Sequence, residues 1–127
     1  MSRTVIAPPS LTAPGVPLSP GIAFETLVFV SGQLPIDPET GAFPDGVTAQ
    51  TKASLANLKT VLEAAGATME GVVKTTVFLK NMDDFSAMNA VYAEAFPSEP
   101  PARSAIEVAR LPKDALVEIE AVAIRAR

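Results

Sequence analysis

The sequence predicts a single α+β domain, residues 1–127, in which two helices pack on one face of a mixed β-sheet. Its length of 127 residues is typical of one domain. Some segments are β-branched or alternate apolar and polar residues, as strands do, and two others repeat apolar residues every three or four positions, as helices do. The resulting order is strand, strand, helix, strand, helix, strand, strand. That order favours helices layered on a sheet over a bundle or a barrel.

The first two predicted strands are short and precede the first helix. Residues 1–20 contain five prolines, which leave room for only one strand, Thr4–Ala7. The second strand is Thr26–Val30, whose sequence TLVFV is typical of a buried strand. We expect Ser31-Gly32 to end it, because these residue types usually mark a turn.

Two helices are predicted from apolar spacing and end signals. The first is expected to begin after Asp45, which serves as its N-cap, and to run to about Ala65, with Gly66 just beyond its end. The second is expected to be capped near Asp83 and to run to about Phe96, where a group of prolines follows.

Three further strands complete the predicted sheet: Val72–Lys80, Arg103–Ala109 and Leu116–Arg125. The last of them is apolar on both sides, with Val117, Ile119, Ala121 and Ala123 on one side and Val122 and Ile124 on the other. Two helices cover only one face of a sheet. Since each exposed apolar side chain of this size forgoes about 1.5–3 kcal/mol, we expect the second face to be covered by self-association.

The chain contains no histidine and no cysteine, which removes most familiar catalytic chemistry. Serine–histidine–aspartate triads, cysteine nucleophiles, histidine bases and His/Cys zinc sites are all excluded. Acid–base chemistry is left to carboxylates, lysines and Tyr92. We therefore expect no metal and no cofactor, and a reaction with a low intrinsic barrier if the protein is an enzyme.

The net charge of −4 and the isoelectric point near 4.7 indicate an acidic surface. Such a surface repels phosphate backbones, so no nucleic-acid partner is expected. No apolar run approaches the ~20 residues that span a bilayer, so no membrane partner is expected either. The first residues lack the apolar core of a secretory signal, and we expect a cytoplasmic protein.

Two charged groups are candidates for chemistry, and each has a simpler interpretation. Glu118 shares one side of the last strand with Glu120 and the apolar Val122. Both glutamates are solvated if the strand frays there; alternatively, one is buried at a subunit contact, where its pKa can be tuned and it can hold a water molecule. Arg103 is either a surface residue paired with Glu107 or a bidentate anchor for a carboxylate. Spacing alone does not decide between these interpretations.

Two further groups of residues, Ser31-Gly32 and the pair Phe85 and Asn89, each have two interpretations. Ser31-Gly32 is either a stop signal or a small anion-binding turn. Phe85 and Asn89 are four residues apart and lie on one side of the second helix. They are either a core residue beside a solvated amide or two residues lining a pocket.

Several motifs, taken together and in order, resemble the RidA family, also called YjgF, over nearly the whole chain. The longest is Pro101–Ala121, PARSAIEVARLPKDALVEIEA. The others are SGQLP at Ser31–Pro35, EAAG at Glu63–Gly66 and VKTTVFLKNMDDF at Val73–Phe85. The resemblance implies a chorismate-mutase-like protomer and a homotrimer with a central β-barrel and a cleft at each of three interfaces. It also implies hydrolysis of 2-imino acids, such as 2-iminopropanoate and 2-iminobutanoate, to 2-keto acids and ammonia.

The resemblance also implies roles for individual residues. Arg103 would bind the substrate carboxylate together with the backbone N–H of Ala105, and Glu118 would hold the attacking water. The residues expected to line the pocket are Ser31, Gly32, Phe85 and Asn89.

One departure from the family pattern leaves alternatives open. A tyrosine of the family's N-terminal segment is missing, and Leu18 lies nearest its place. This change motivates a second interpretation, a deaminase of a related catabolic enamine of the 2-aminomuconate or aminoacrylate type. A third is a non-catalytic, small-carboxylate-binding or chaperone-like trimer. The fourth, an endoribonuclease, is opposed by the acidity and by the absence of histidine.

Overall fold

The computed structural model describes residues 2–126, which contain two α-helices, four short 3-10 turns and six strands. The strands are β1 (Thr4–Ile6), β2 (Gly21–Phe24), β3 (Leu27–Gln33), β4 (Val72–Leu79), β5 (Ala102–Glu107) and β6 (Val117–Ile124), and the helices are α1 (Val47–Ala64) and α2 (Phe85–Ala95). The six strands form one sheet in the order β1-β2-β3-β6-β4-β5. Only β4 and β5 pair in parallel; every other pair is antiparallel. The predicted mixed sheet with two helices is therefore confirmed.

Both helices pack on the same face of the sheet. The β6 side chains Val117, Ile119, Ala121 and Ala123 point toward the helices and are at most 5% exposed. Helix α1 packs against β3, β6 and α2, and contributes Leu58, Val61 and Leu62, all fully buried, to the core. Alternation along β6 thus places one set of apolar residues in the core, as predicted.

The other face of the sheet, which we call the open face, is broadly apolar and uncovered. Strand register and alternation place seven of its apolar side chains there: Val5, Ile22, Leu27, Phe29, Ile106, Val122 and Ile124. Five of the seven are between 37% and 55% exposed. An apolar patch of this extent is unusual on a monomer and typical of an association surface.

The strands before α1 differ from the prediction in two ways. Strand β2 was not predicted. Its sequence, GIAF, is too short to show a strand pattern, and the strand forms by pairing with β3. Strand β3 does not end at Ser31-Gly32 but continues to Gln33. A register shift opposite β6 between Val30 and Gln33 accommodates the two residues, as a β-bulge does.

The helix ends also test the predicted signals. Gly66, with a φ of +79°, follows α1 as predicted. The predicted cap at Asp45 is wrong: Gly46 occupies the N-cap position, and no side chain accepts a hydrogen bond there. Asp84 occupies the N-cap position of α2, next to the predicted Asp83, but no side chain accepts a hydrogen bond there. The side-chain cap belongs to the 3-10 turn Met82–Asp84 just before α2, where Asn81 accepts a hydrogen bond of 2.9 Å from the N–H of Asp83.

Candidate active site

Arg103 lies on β5, the edge strand, and its side chain turns toward α2. Its Nη1 donates a hydrogen bond of 2.7 Å to Oδ1 of Asn89. The guanidinium carbon lies 5.5 Å from the ring centroid of Phe85 and 4.7 Å from that of Tyr92. Both distances are within the range of cation–π attraction. Phe85 and Asn89, which were predicted to line a pocket, are thus brought together around Arg103.

The simpler interpretation of Arg103, a surface pair with Glu107, does not match the structure. The carboxylate of Glu107 instead accepts a hydrogen bond of 2.8 Å from the N–H of Met82. Arg103 is half-buried against α2, and its position is therefore determined by that helix.

The contacts of Arg103 leave one edge of its guanidinium available. Nη1 faces both Asn89 and the sulfur of Met88, the latter at 3.9 Å. Among the described residues, no acceptor contacts Nε or Nη2. The Nε–Nη2 edge presents two parallel N–H groups, which is the geometry that binds a carboxylate bidentately.

A backbone donor lies at the same edge of the sheet. The N–H of Val108 donates to the carbonyl of Leu79 at 2.9 Å, so Val108 faces β4. Since N–H groups alternate along a strand, that of Ala105 faces away from β4, at the open edge of β5. Arg103 and Ala105 also share one side of β5. A small carboxylate at this edge would find donors from both residues.

Sequence reasoning did not place Tyr92 beside Arg103. The sequence indicates Tyr92 as a titratable group and as part of the apolar side of the second helix, three residues after Asn89 and seven after Phe85. Those intervals place all three on one side of a helix. The helical spacing was therefore a usable signal, but the position of Arg103 relative to α2 was not known.

Glu118 lies on the open face, next to the bulge in β3. A Cβ added to Gly32 would overlap the carboxylate of Glu118. The backbone of Gly32 is not in the left-handed region, so glycine is needed there for space rather than for its conformational freedom. The bulge at Ser31-Gly32 thus makes room for the Glu118 side chain.

The electrostatic surroundings of Glu118 favour its protonated form. Burial raises the pKa of its carboxyl, and repulsion from the nearby Glu120 raises that pKa further. Glu118 is half-buried and Glu120 is exposed. The ionised form of Glu118 is consequently a stronger base than an ordinary glutamate.

Ser31 connects the bulge to the N-terminal segment. Its hydroxyl donates a hydrogen bond of 2.6 Å to the carbonyl of Ser19, and its N–H donates one of 2.9 Å to the carbonyl of Pro20. Leu18, which precedes these residues, lines a cavity of about 170 Å³ together with Gly32. The Leu18 segment therefore lies beside the bulge that accommodates Glu118.

The residues predicted to act together form two separate groups in one chain. Glu118 pairs with Phe78 across the β4–β6 ladder, on the open face, whereas Arg103 pairs with Thr75 and points to the helix face. The sheet itself separates the two charged groups. One chain thus supplies two half-sites: the Arg103 half-site, with Phe85, Asn89 and Ala105, and the Glu118 half-site, with Ser31 and Gly32.

The close approach of Gly32 to Glu118 leads to a first testable prediction. Gly32→Ala is expected to displace the Glu118 carboxylate. For the 2-imino acid hydrolysis that the resemblance implies, it should lower kcat by about tenfold or more while KM changes little. Steady-state assays of the purified variant would measure both constants. In a Glu118→Gln background the same substitution should cause no further loss, because the two positions act as one unit. An equal loss in both backgrounds would contradict this coupling.

Residues 2–126 contain neither of two features that would indicate other kinds of site. No helix in this part of the chain is both long and apolar enough to cross a membrane. The same residues contain no group of three histidine, cysteine, aspartate or glutamate side chains arranged to hold a metal ion.

Comparison with known proteins gives extensive matches. The model of the family described as Endoribonuclease L-PSP matches residues 10–125. The 2-iminobutanoate/2-iminopropanoate deaminase of Salmonella typhimurium is 48% identical over 98% of this chain and 99% of its own length. A RutC family protein of Pyrococcus abyssi is also 48% identical, over the same shares of the two chains.

Solved structures show the same fold. The YjgF gene product of E. coli superposes with a TM-score of 0.90 at 45% identity, covering 97% of this chain and 99% of that one. E. coli TdcF with bound serine superposes with a TM-score of 0.91 at 38% identity, with the same coverage. The chain therefore belongs to the endoribonuclease L-PSP family, which is the YjgF/RidA family that its motifs resemble.

Proposed function

We propose that this protein hydrolyses 2-imino acids, such as 2-iminopropanoate and 2-iminobutanoate, to 2-keto acids and ammonia. The observation that carries the proposal is the Arg103 half-site, where Asn89 accepts a hydrogen bond of 2.7 Å from Nη1 of the guanidinium and the N–H of Ala105, on the same side of β5 as Arg103, faces the open edge of the sheet. This arrangement suits a single small carboxylate. Relatives that are 46–48% identical and named 2-iminobutanoate/2-iminopropanoate deaminase support the same reaction.

The reaction requires little more than a positioned water and a base. The imine carbon is electrophilic, and water adds to it to form a carbinolamine. During this addition Glu118 accepts one proton from the water and returns it to the imine nitrogen. Glu118 then accepts the hydroxyl proton of the carbinolamine and passes it to the same nitrogen, so that the C–N bond breaks, ammonia leaves and the C–O bond becomes a carbonyl. General base catalysis of this kind contributes about 10²–10⁴-fold, and holding the carboxylate fixes the imine relative to the water.

A complete site then requires two chains, because Arg103 and Glu118 lie on opposite faces of one sheet. We propose that Arg103 of one protomer faces Glu118 of the next, within a homotrimer. The open face supplies the apolar surface for such an assembly, and repetition of one head-to-tail contact closes a ring. The mass in solution is expected to be three times the chain mass of 13.2 kDa. A mass of 13.2 kDa by light scattering would contradict the shared site.

Mixing two inactive variants tests the shared site directly. Arg103→Ala and Glu118→Gln, co-refolded in equal amounts, are expected to regain about a quarter of wild-type activity, because that fraction of the shared sites receives both intact residues. Activity would be followed in a coupled assay in which an amino-acid oxidase generates the imine. The control mixes Arg103→Ala with the Arg103→Ala/Glu118→Gln double variant, which cannot form an intact site. Absence of recovery, with subunit exchange verified by mass spectrometry, would place both residues in one chain.

The other interpretations predict different results in the same assays. A catabolic enamine deaminase, suggested by Leu18 beside the bulge, would prefer an enamine such as 2-aminomuconate in a substrate panel. Binding without turnover is suggested by TdcF, whose structure contains serine. It predicts thermal stabilisation by 2-oxobutanoate with no change in imine decay. The endoribonuclease interpretation predicts RNA cleavage, which we do not expect from a chain with a net charge of −4 and no histidine.

A further inference from the structure

We infer that Tyr92 is a positioning residue whose ring holds the Arg103 guanidinium in its carboxylate-binding orientation, an inference that rests on the proposed function. Tyr92 is 6% exposed, and its ring centroid lies 4.7 Å from the guanidinium carbon. Asn89 accepts a hydrogen bond from one nitrogen of the guanidinium, and a single hydrogen bond does not by itself fix the orientation of the guanidinium plane. An aromatic face restrains that plane.

The ring of Tyr92 has two buried neighbours. Its hydroxyl lies 2.7 Å from Oγ1 of Thr75, a fully buried residue of β4 that pairs directly with Arg103 of β5. Its ring centroid is also 4.7 Å from that of Phe96, with the planes tilted by 44°. Tyr92 therefore links α2 to the strand position next to Arg103.

The surroundings of Tyr92 indicate a structural hydroxyl rather than a catalytic one. Burial raises its pKa, and this effect outweighs the opposing influences of the Thr75 hydrogen bond and the Arg103 charge. Tyr92 therefore remains neutral near pH 7 and does not act as a base. It acts on the reaction only through Arg103, which it contacts.

The inference makes a specific kinetic statement. Arg103 contacts the substrate carboxylate, which takes no part in bond making or breaking. If Arg103 loses its orientation, the enzyme binds the substrate in the ground state and in the transition state less tightly by the same factor. This raises KM and leaves kcat unchanged. A merely structural role for Tyr92 would lower thermal stability without changing KM.

The experiment compares Tyr92→Leu with Phe96→Leu in the full-length protein. Tyr92→Leu is expected to raise KM for 2-iminobutanoate by about tenfold, the size of a partly desolvated cation–π contact, with kcat within about threefold of wild type. The matched control, Phe96→Leu, removes a ring that packs on Tyr92, whereas the described rings in cation–π contact with Arg103 are those of Phe85 and Tyr92. It is expected to lower Tm and leave KM unchanged. Tyr92→Phe restores the ring without the hydroxyl, and should bring KM back to within about threefold of wild type.

The outcomes separate this inference from the proposed function. Binding of 2-oxobutanoate, measured by calorimetry, should weaken in Tyr92→Leu by the same factor as KM, and this measurement does not depend on turnover. An unchanged KM and Kd in Tyr92→Leu, or equal changes in both leucine variants, would overturn the positioning role while wild-type activity stands. A wild-type protein that leaves imine decay unchanged would overturn the proposed function instead. Should Tyr92→Leu fail to fold, Tyr92→Met, which fills the space with a flexible apolar chain, makes the same comparison.

Discussion

Arg103→Ala is expected to lower kcat/KM for 2-iminobutanoate by about 100- to 1000-fold, the largest effect expected from loss of substrate binding. Each hydrogen bond to a charged group contributes about 1.5–3 kcal/mol, and a bidentate contact supplies two. A loss of about 3–4 kcal/mol corresponds to the expected change in rate. The change should appear mainly in KM, since the carboxylate is bound equally in the ground state and the transition state. Coupled assays at varied imine supply would measure it.

Two control variants separate the geometry of Arg103 from its charge. Arg103→Lys keeps the positive charge but loses the planar fork, and should recover no more than about a tenth of wild-type kcat/KM. Arg110→Ala removes an exposed arginine that follows β5 and should leave the kinetics unchanged. If Arg103→Ala retained wild-type kcat/KM, the assignment of the Arg103 half-site would be wrong.

Glu118→Gln is expected to lower kcat by about 10²–10⁴-fold, because glutamine cannot accept the proton from water. KM should change little, since the substrate carboxylate is bound by the other half-site. Stopped-flow or steady-state decay of enzymatically generated imine would measure kcat. The folded protein should remain at least as stable as wild type, because glutamine removes a half-buried charge whose solvation is poor.

The pH dependence of activity provides a second readout for Glu118. In the proposed mechanism the ionised form is the active base, so activity should fall as the pH is lowered through the pKa of Glu118. Because burial and Glu120 raise that pKa, the acidic limb should lie above the range of an ordinary glutamate. Glu120→Gln removes the repulsion, and should shift the limb to lower pH with little change in kcat at high pH. If the acidic limb of the pH–activity profile persists in Glu118→Gln, the group that titrates there is not Glu118.

Much of the fold could be predicted because its signals are local. The α1 helix and its end before Gly66 follow from apolar spacing and from a residue that tolerates positive φ. The alternation in β6 correctly predicted one buried and one open apolar face. By contrast, β2 has little signal of its own, since its formation depends on pairing with β3, and the Ser31-Gly32 bulge forms only because β6 is its neighbour.

The sequence by itself determined which residue types are available for chemistry and, within each strand, which residues share a side. Arg103 with Ala105, and Glu118 with Glu120, followed from alternation alone. Only the tertiary structure decided that Arg103 packs against Asn89 and Tyr92 rather than pairing with Glu107, and that Glu118 lies on the opposite face. The physical reason is that alternation fixes relative sides within a strand. The register between strands and the packing of α2 decide which residues of different elements lie on the same face and in contact. Both depend on contacts between residues far apart in the chain.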